Sequence, residues 1–262
     1  MKADYHVHTN YSDDSTELME DVVKHAIKLK FNEIAFTEHV DYGVKTDLNC
    51  NYEEYFKELF KLKEIYKNEI TIKAGMEFGM QVHTIDKYEE DFNKWPFDFI
   101  LLSNHQVDDK ELWLYDYQKG KTQDEYQLGY YNEILNVIKK YKNYSVLAHL
   151  DAIKRYDENE PYSDSKILPI VKEILTQVIK DGKGIEINTS SFKYNLPDLT
   201  PSKEILKLYK DLGGEIITIG SDAHKKEHLG DHFDEVKMIL KDEIGFSKFC
   251  TFDKMKPIFW DL

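Results

Sequence analysis

The stretch Asp4-Tyr5-His6-Val7-His8-Thr9 lies almost at the start of the chain, and its residues alternate in character. Side chains two apart in a strand share a face, so Tyr5 and Val7 point one way and His6 and His8 the other. Two imidazoles placed together at a strand end can clasp one metal ion, and imidazole suits zinc, iron and related ions. Taken alone, the motif is more often a pair of half-buried histidines, because short motifs match by accident. Recurrence of the same event along the chain shifts the balance.

Compact apolar runs that read as strands follow at 33–37, 70–77, 97–103, 144–148, 184–188 and 215–220. Between them lie segments with helical periodicity: after Thr16, near 52–67, at 84–94, 126–140 and 167–180, and after Thr200-Pro201-Ser202, where proline is expected near the first turn. Residues 106–125 show no firm period and read as a long functional loop. The tail from Phe249 to Leu262 reads as a hairpin or an extra strand. Strand and helix alternating about seven times imply a parallel sheet, hence an α/β fold. At 262 residues an α/β barrel is commonly one domain, here 1–262.

Each expected strand finishes on a residue able to bind metal or phosphate: His6 and His8, His39, Glu77, His105, His149, Asn188, then Asp222 and His224. Closed into a barrel, these ends converge on the face where barrel enzymes keep their chemistry. Of the 10 histidines, six sit at strand ends, where chance would scatter them. His25, His83, His228 and His232 fit no strand end and read as structural or surface residues, with His228 near enough in sequence to His224 to approach from its loop. The opening loop adds Asp13 and Asp14, one of which is expected to turn toward the site. With Asn188 left aside for phosphate, that makes nine candidate metal donors. One zinc ion takes about four, so two or three ions are expected, with Glu77 or Asp222 able to bridge. Imidazole mixed with carboxylate fits zinc, manganese or iron better than calcium.

Net charge is −14, which argues against nucleic acid as a partner. It also disfavours an anionic ligand unless bound cations reverse the local sign. Arg155 is the only arginine among 35 Lys+Arg positions. A guanidinium fork binds phosphate oxygens bidentately, which lysine cannot do, and its place six residues after His149 points to substrate binding. Cys50 and Cys250 suggest no disulfide framework. No apolar run approaches the ~20 residues of a membrane span, and the first strand begins at once, leaving no room for a secretory signal. A cytoplasmic protein with no membrane partner is expected.

His6-Val7-His8, Thr37-Glu38-His39, Glu77, Asn104-His105, Leu147-Ala148-His149-Leu150-Asp151 and Gly220-Ser221-Asp222-Ala223-His224 together resemble the polymerase-and-histidinol-phosphatase (PHP) family of metal-dependent phosphoesterases. Lys154-Arg155-Tyr156 and Glu186-Ile187-Asn188-Thr189-Ser190 look most like its histidinol-phosphatase branch. The resemblance implies a distorted (β/α)7 TIM-like barrel carrying three divalent ions. His6, His8, Glu77 and Asp222 would hold the first, Asp14, His39 and His224 the second, and Glu77 with His105 and His149 the third. Many family members carry histidine where Asp14 falls, so the choice between Asp13 and Asp14 stays open, with Asp14 preferred.

The implied reaction is hydrolysis of L-histidinol phosphate to L-histidinol and phosphate, a step of histidine biosynthesis, by attack of a metal-bridging hydroxide. Asp222, His224 and Glu77 are the expected catalytic residues. Arg155, Asn188 and Ser190 are expected on the phosphate and Asp41 on the substrate's ammonium group. Two rivals remain: a phosphoesterase acting on phosphotyrosine, a sugar phosphate or a nucleotide, and a non-catalytic metal-binding domain. The tyrosines of 113–131 are expected to pack rather than line a pocket.

Overall fold

The computed structural model describes residues 1–159 and 161–262. Seven strands pair in parallel in chain order: β1 (Ala3–Val7), β2 (Glu33–Phe36), β3 (Thr71–Gly79), β4 (Phe99–Ser103), β5 (Val146–Leu147), β6 (Gly184–Asn188) and β7 (Ile217–Gly220). The ring nearly closes through the segment after β7, where the His8 amide donates to the Ala223 carbonyl at 2.9 Å and the Ala223 amide to that of His6 at 3.3 Å. The expected TIM-like barrel is present, and a register shift between Asp4 and Val7 against β2 distorts it. The short segment His39–Val40 adds its own parallel pairing to β3, setting His39 opposite Glu77.

Helices α1 (Met19–Lys28), α2 (Tyr52–Ile65), α3 (Ile85–Lys94), α4 (Gln123–Lys140), α5 (Asp164–Lys180), α6 (Lys203–Asp211) and α7 (Phe233–Met238) supply the crossovers and flanks. A parallel sheet covered by helices is dry on both faces, which is why β2, β4 and β6 are buried at every position. The helix-bearing segments follow the expected periodicity, with differences at their starts; α5 opens at Asp164, three residues before the expected 167. Helix α4 begins three residues earlier than the apolar pattern indicates. Thr122 and Glu125 form a reciprocal cap there, which satisfies donors that the first turn leaves free. Helix α6 starts at Lys203, so Pro201 lies outside it, and the Ser202 hydroxyl accepts from the Ile205 amide as its cap. The long 106–125 segment also holds a small hairpin, Gln106–Val107 against Lys110–Glu111.

The tail forms an antiparallel hairpin, β8 (Lys248–Asp253) and β9 (Lys256–Asp261). It packs where strands begin rather than where they end. Phe252 packs against Phe99 with ring centroids 5.0 Å apart and tilted, the Tyr5 hydroxyl accepts from the Phe252 amide, and the Met255 amide donates to the Asp98 carbonyl. The opposite mouth is thereby left to the strand ends. Cys50 and Cys250 are free and buried. Among the described residues, no helix is long and apolar enough to cross a membrane.

Candidate metal centre

The strand ends do converge, and Glu77 is their hub. This fully buried carboxylate has one oxygen, Oε1, 2.8 Å from His149 Nε2 and 3.2 Å from His105 Nε2. The other, Oε2, lies 3.1 Å from His6 Nε2, 3.2 Å from His39 Nδ1 and 3.5 Å from His8 Nε2. The Ser103 hydroxyl also donates to Oε1. Asp222 Oδ1 lies 3.6 Å from ring nitrogens of His6, His8 and His224. Four groups of donor atoms gather within 4.8 Å: His8, His39 and His224; His6, His149 and Asp222; His6, His8 and Glu77; His39, Glu77 and His105.

The two aspartates of the opening loop separate cleanly. Asp14 Oδ2 stands 3.1 Å from His224 Nε2 and 3.5 Å from His39 Nε2. Asp13 instead pairs with Lys45 at 2.5 Å. Every expected metal donor therefore lies in the cluster, and of the pair it is Asp14 that faces it.

The donors fit cations on the structure's own terms. His8 Nε2 is buried without a hydrogen-bond partner although it faces two carboxylates. Its Nδ1 is engaged by Ser12 at 3.1 Å, which leaves the Nε2 lone pair to be used inward. Burial, with His224 and His39 nearby, keeps His8 neutral by lowering its pKa, the state a ligand needs. Burial also opposes charge on His39, but Glu77 and Asp14 outweigh it and lift His39 to about 9. His105 rises to about 10 against the same penalty, under Asp41 and Glu77. Glu77 is desolvated, yet His6, His105 and His39 hold it well below the carboxylate range. The buried carboxylates thus draw positive charge to this cluster.

Backbone and small residues shape the cage. Asp222 takes φ +55° and His149 φ +20°, conformations uncommon outside glycine that concentrate at functional sites. Asp41 Oδ1 lies 2.8 Å from His105 Nδ1 and fixes that ring from behind. A Cβ on Gly79 would fall 1.7 Å from the same oxygen, so the pair exists only because residue 79 is glycine.

The cage opens into a cavity of about 330 Å³ whose wall includes Asp41, Lys45, Trp113, Arg155, Tyr156 and Tyr194. Arg155 is almost wholly buried. It donates to Asp222 at 3.1 Å, to Asn188 at 3.2 Å and to Ser190 at 2.6 Å, with Tyr194 beneath its guanidinium at 4.9 Å. Of the four residues expected to contact substrate, Arg155 and Asp41 line the cavity, whereas Asn188 and Ser190 lie buried behind Arg155 and accept its hydrogen bonds, so they reach the cavity only through it. Trp113, Tyr156 and Tyr194 in the wall go beyond the expected set; Trp113 stands in a turn, Tyr156 ends the short 3-10 helix Ala152–Tyr156 beside the informative arginine, and Tyr194 caps the short helix Ser190–Lys193, elements too brief to leave a period. As expected, Tyr126, Tyr130 and Tyr131 pack in the interior. His83, His228 and His232 pair with Asp109, Asp231 and Glu235 at the surface.

A sequence model of the PHP domain family matches residues 4–190. The histidinol-phosphatase of Lactococcus lactis subsp. lactis is 35% identical over 266 residues, spanning 97% of this chain and 96% of its own length. The histidinol-phosphatase of Bacillus subtilis is 25% identical over 261 residues, spanning 87% and 96%. Among solved structures, the L. lactis histidinol phosphate phosphatase complexed with zinc, L-histidinol and phosphate superposes with a TM-score of 0.91 at 32% identity, covering 98% of both chains.

Proposed function

This chain belongs to the PHP domain family, and on that premise we propose that it is a histidinol-phosphatase, a phosphoric monoester hydrolase that converts L-histidinol phosphate to L-histidinol and phosphate. The observation that carries the reading is the meeting of nine donor residues with Glu77 at their centre, in a fold matched over its length by a relative complexed with zinc, L-histidinol and phosphate.

Three divalent ions, of zinc, manganese or iron, are proposed in the cage. His6, His8, Glu77 and Asp222 would hold one, Asp14, His39 and His224 another, and Glu77, His105 and His149 the third. When bound, they supply Lewis-acid polarisation of phosphoryl oxygens and acidify water toward neutral pH. The protein's part is to seat and orient the ester. Arg155 offers a planar cation to phosphoryl oxygens and offsets charge that develops on them. Asn188 and Ser190 hold that guanidinium in place. Asp222, His224 and Glu77 border the same space and are assigned as the catalytic residues. Asp41 lines the wall too, and its second oxygen is assigned to the substrate's ammonium group. A cytoplasmic setting goes with a biosynthetic substrate of this kind.

The test is phosphate release from a panel of esters by the metal-loaded protein. Histidinol phosphate is expected to exceed phosphotyrosine, sugar phosphates and nucleotides in kcat/KM by a wide margin. A different ester turned over faster would move the substrate, and no release from any ester would leave only a metal-binding domain. Arg155→Lys keeps the charge and loses the fork. Hydrogen bonds to charged groups contribute about 1.5–3 kcal/mol, so KM for the phosphorylated substrate is expected to rise roughly ten- to hundredfold. An unchanged KM would remove Arg155 from the phosphate site.

A further inference from the structure

We propose that Glu186 is a positioning residue that aims His6 and the strained His149 segment at the metal site, and that only a carboxylate can do this. Glu186 is fully buried in the middle of β6. Its Oε1 lies 2.6 Å from His6 Nδ1. Its Oε2 accepts from the His149 amide at 2.8 Å and from Asn188 Nδ2 at 3.1 Å. One side chain thus ties the first metal-binding strand to the fifth strand's end.

The chemistry of each contact fixes a direction. An ionised carboxylate only accepts, so Nδ1 carries a His6 proton and Nε2, 3.1 Å from Glu77 Oε2, is the nitrogen left for a metal. The His149 amide belongs to a residue at φ +20°, a conformation that persists only where its surroundings over-determine it. Glu186 supplies that restraint. Among the described residues no lysine or arginine pairs with Glu186, and its one ion-pair partner is His6. The position is also cleared by deletion elsewhere. A Cβ on Gly220 would fall 2.3 Å from Glu186 Oε1 and 2.5 Å from His6 Cβ, so glycine at 220 makes room for the pair.

Glutamine matches glutamate in size but not in acceptors. Its oxygen can serve His6 or the His149 amide. The NH₂ group then opposes a donor at the other place. Glu186→Gln therefore separates a directing role from space filling, because a space-filling residue would be rescued by it.

This inference rests on the metal reading given under the proposed function. The experiment is zinc affinity of the full chain by competition with a chromophoric chelator, with thermal unfolding of the metal-free protein alongside. Partners that orient a metal-binding imidazole typically matter 10–100-fold in affinity, and Glu186→Gln is expected to weaken zinc by about that factor while still unfolding cooperatively. If Glu186→Gln does not fold, imidazole nitrogen NMR of the zinc-loaded wild type decides the matter: His6 is expected to carry its proton on Nδ1, and a zinc-bound Nδ1 overturns the role of Glu186. Wild-type affinity in a folded Glu186→Gln overturns the role of Glu186 and leaves the metal reading standing. A wild-type chain that takes up no zinc overturns both.

Discussion

Stripping divalent ions from the purified protein is expected to abolish phosphate release while leaving a folded chain whose stability has become pH-dependent. Lewis-acid stabilisation is worth several kcal/mol, and each 1.36 kcal/mol is tenfold in rate, so a loss of about a thousandfold or more is anticipated. Restoring zinc, manganese or iron should restore turnover. The fold survives because imidazolium groups replace the cations. His6 is buried, yet Glu186, Glu77 and Asp222 raise its pKa; His39 reaches about 9 and His105 about 10.

The sign of the pH effect follows from these directions. A histidine whose folded pKa lies above its unfolded value of about 6.5 stabilises fully below that value and loses its contribution as pH rises through the folded one. The metal-free protein should therefore weaken between about pH 6.5 and 10. Glu77 and Asp222, held low, act oppositely: their contribution is present above the ordinary carboxylate range and is lost in acid. Bound metal displaces the protons, so the zinc-loaded protein should show no such alkaline loss. Thermal unfolding of both forms from pH 6 to 10 measures it. Full activity in exhaustively chelated protein, or equal alkaline sensitivity with and without zinc, would contradict the metal-centred reading.

What the sequence made legible follows from which features leave a periodic trace. Imidazoles and carboxylates at strand ends were readable because a parallel barrel brings every such end to one mouth. That argument placed His6, His39, His105 and His224 together although they are spread over the chain. Asp14 against Asp13 was not decidable by spacing, because a loop has no period; the structure pairs Asp13 with Lys45 and sets Asp14 beside His39 and His224. Asp41 was legible as a mouth residue but not as the brace behind His105, since nothing in its neighbourhood marks which ring it will meet. Glu186 did leave a signal. It sits two residues before Asn188, so both share a face, and a lone charge in the middle of an otherwise apolar strand requires a buried partner. The early start of α4 was likewise written in Thr122 and Glu125, a cap that apolar periodicity does not register.

Asp222→Ala should be the most damaging single substitution in the chain, because this side chain faces two ways. Its Oδ1 stands 3.6 Å from His6, His8 and His224, and its Oδ2 accepts from Arg155 at 3.1 Å. On the proposed reading alanine removes one of the cage's donors and a carboxylate assigned to catalysis, and turnover is expected to fall beyond detection. It also leaves the Arg155 guanidinium buried beside an empty place. Breaking a buried pair by removing one partner typically costs 3–5 kcal/mol. Asn188 and Ser190 still accept from Arg155, and Tyr194 still lies beneath it, so a loss near the lower end, about 3 kcal/mol, is anticipated. Denaturant unfolding with metal analysis and phosphate release separates the effects. A folded, destabilised protein with less bound metal and no turnover is the expected outcome. Arg155→Lys, which keeps the charge and leaves Asp222 in the cage, should retain its metal and its kcat far better. Undiminished turnover in Asp222→Ala would mean that phosphorus is attacked somewhere other than at this cage.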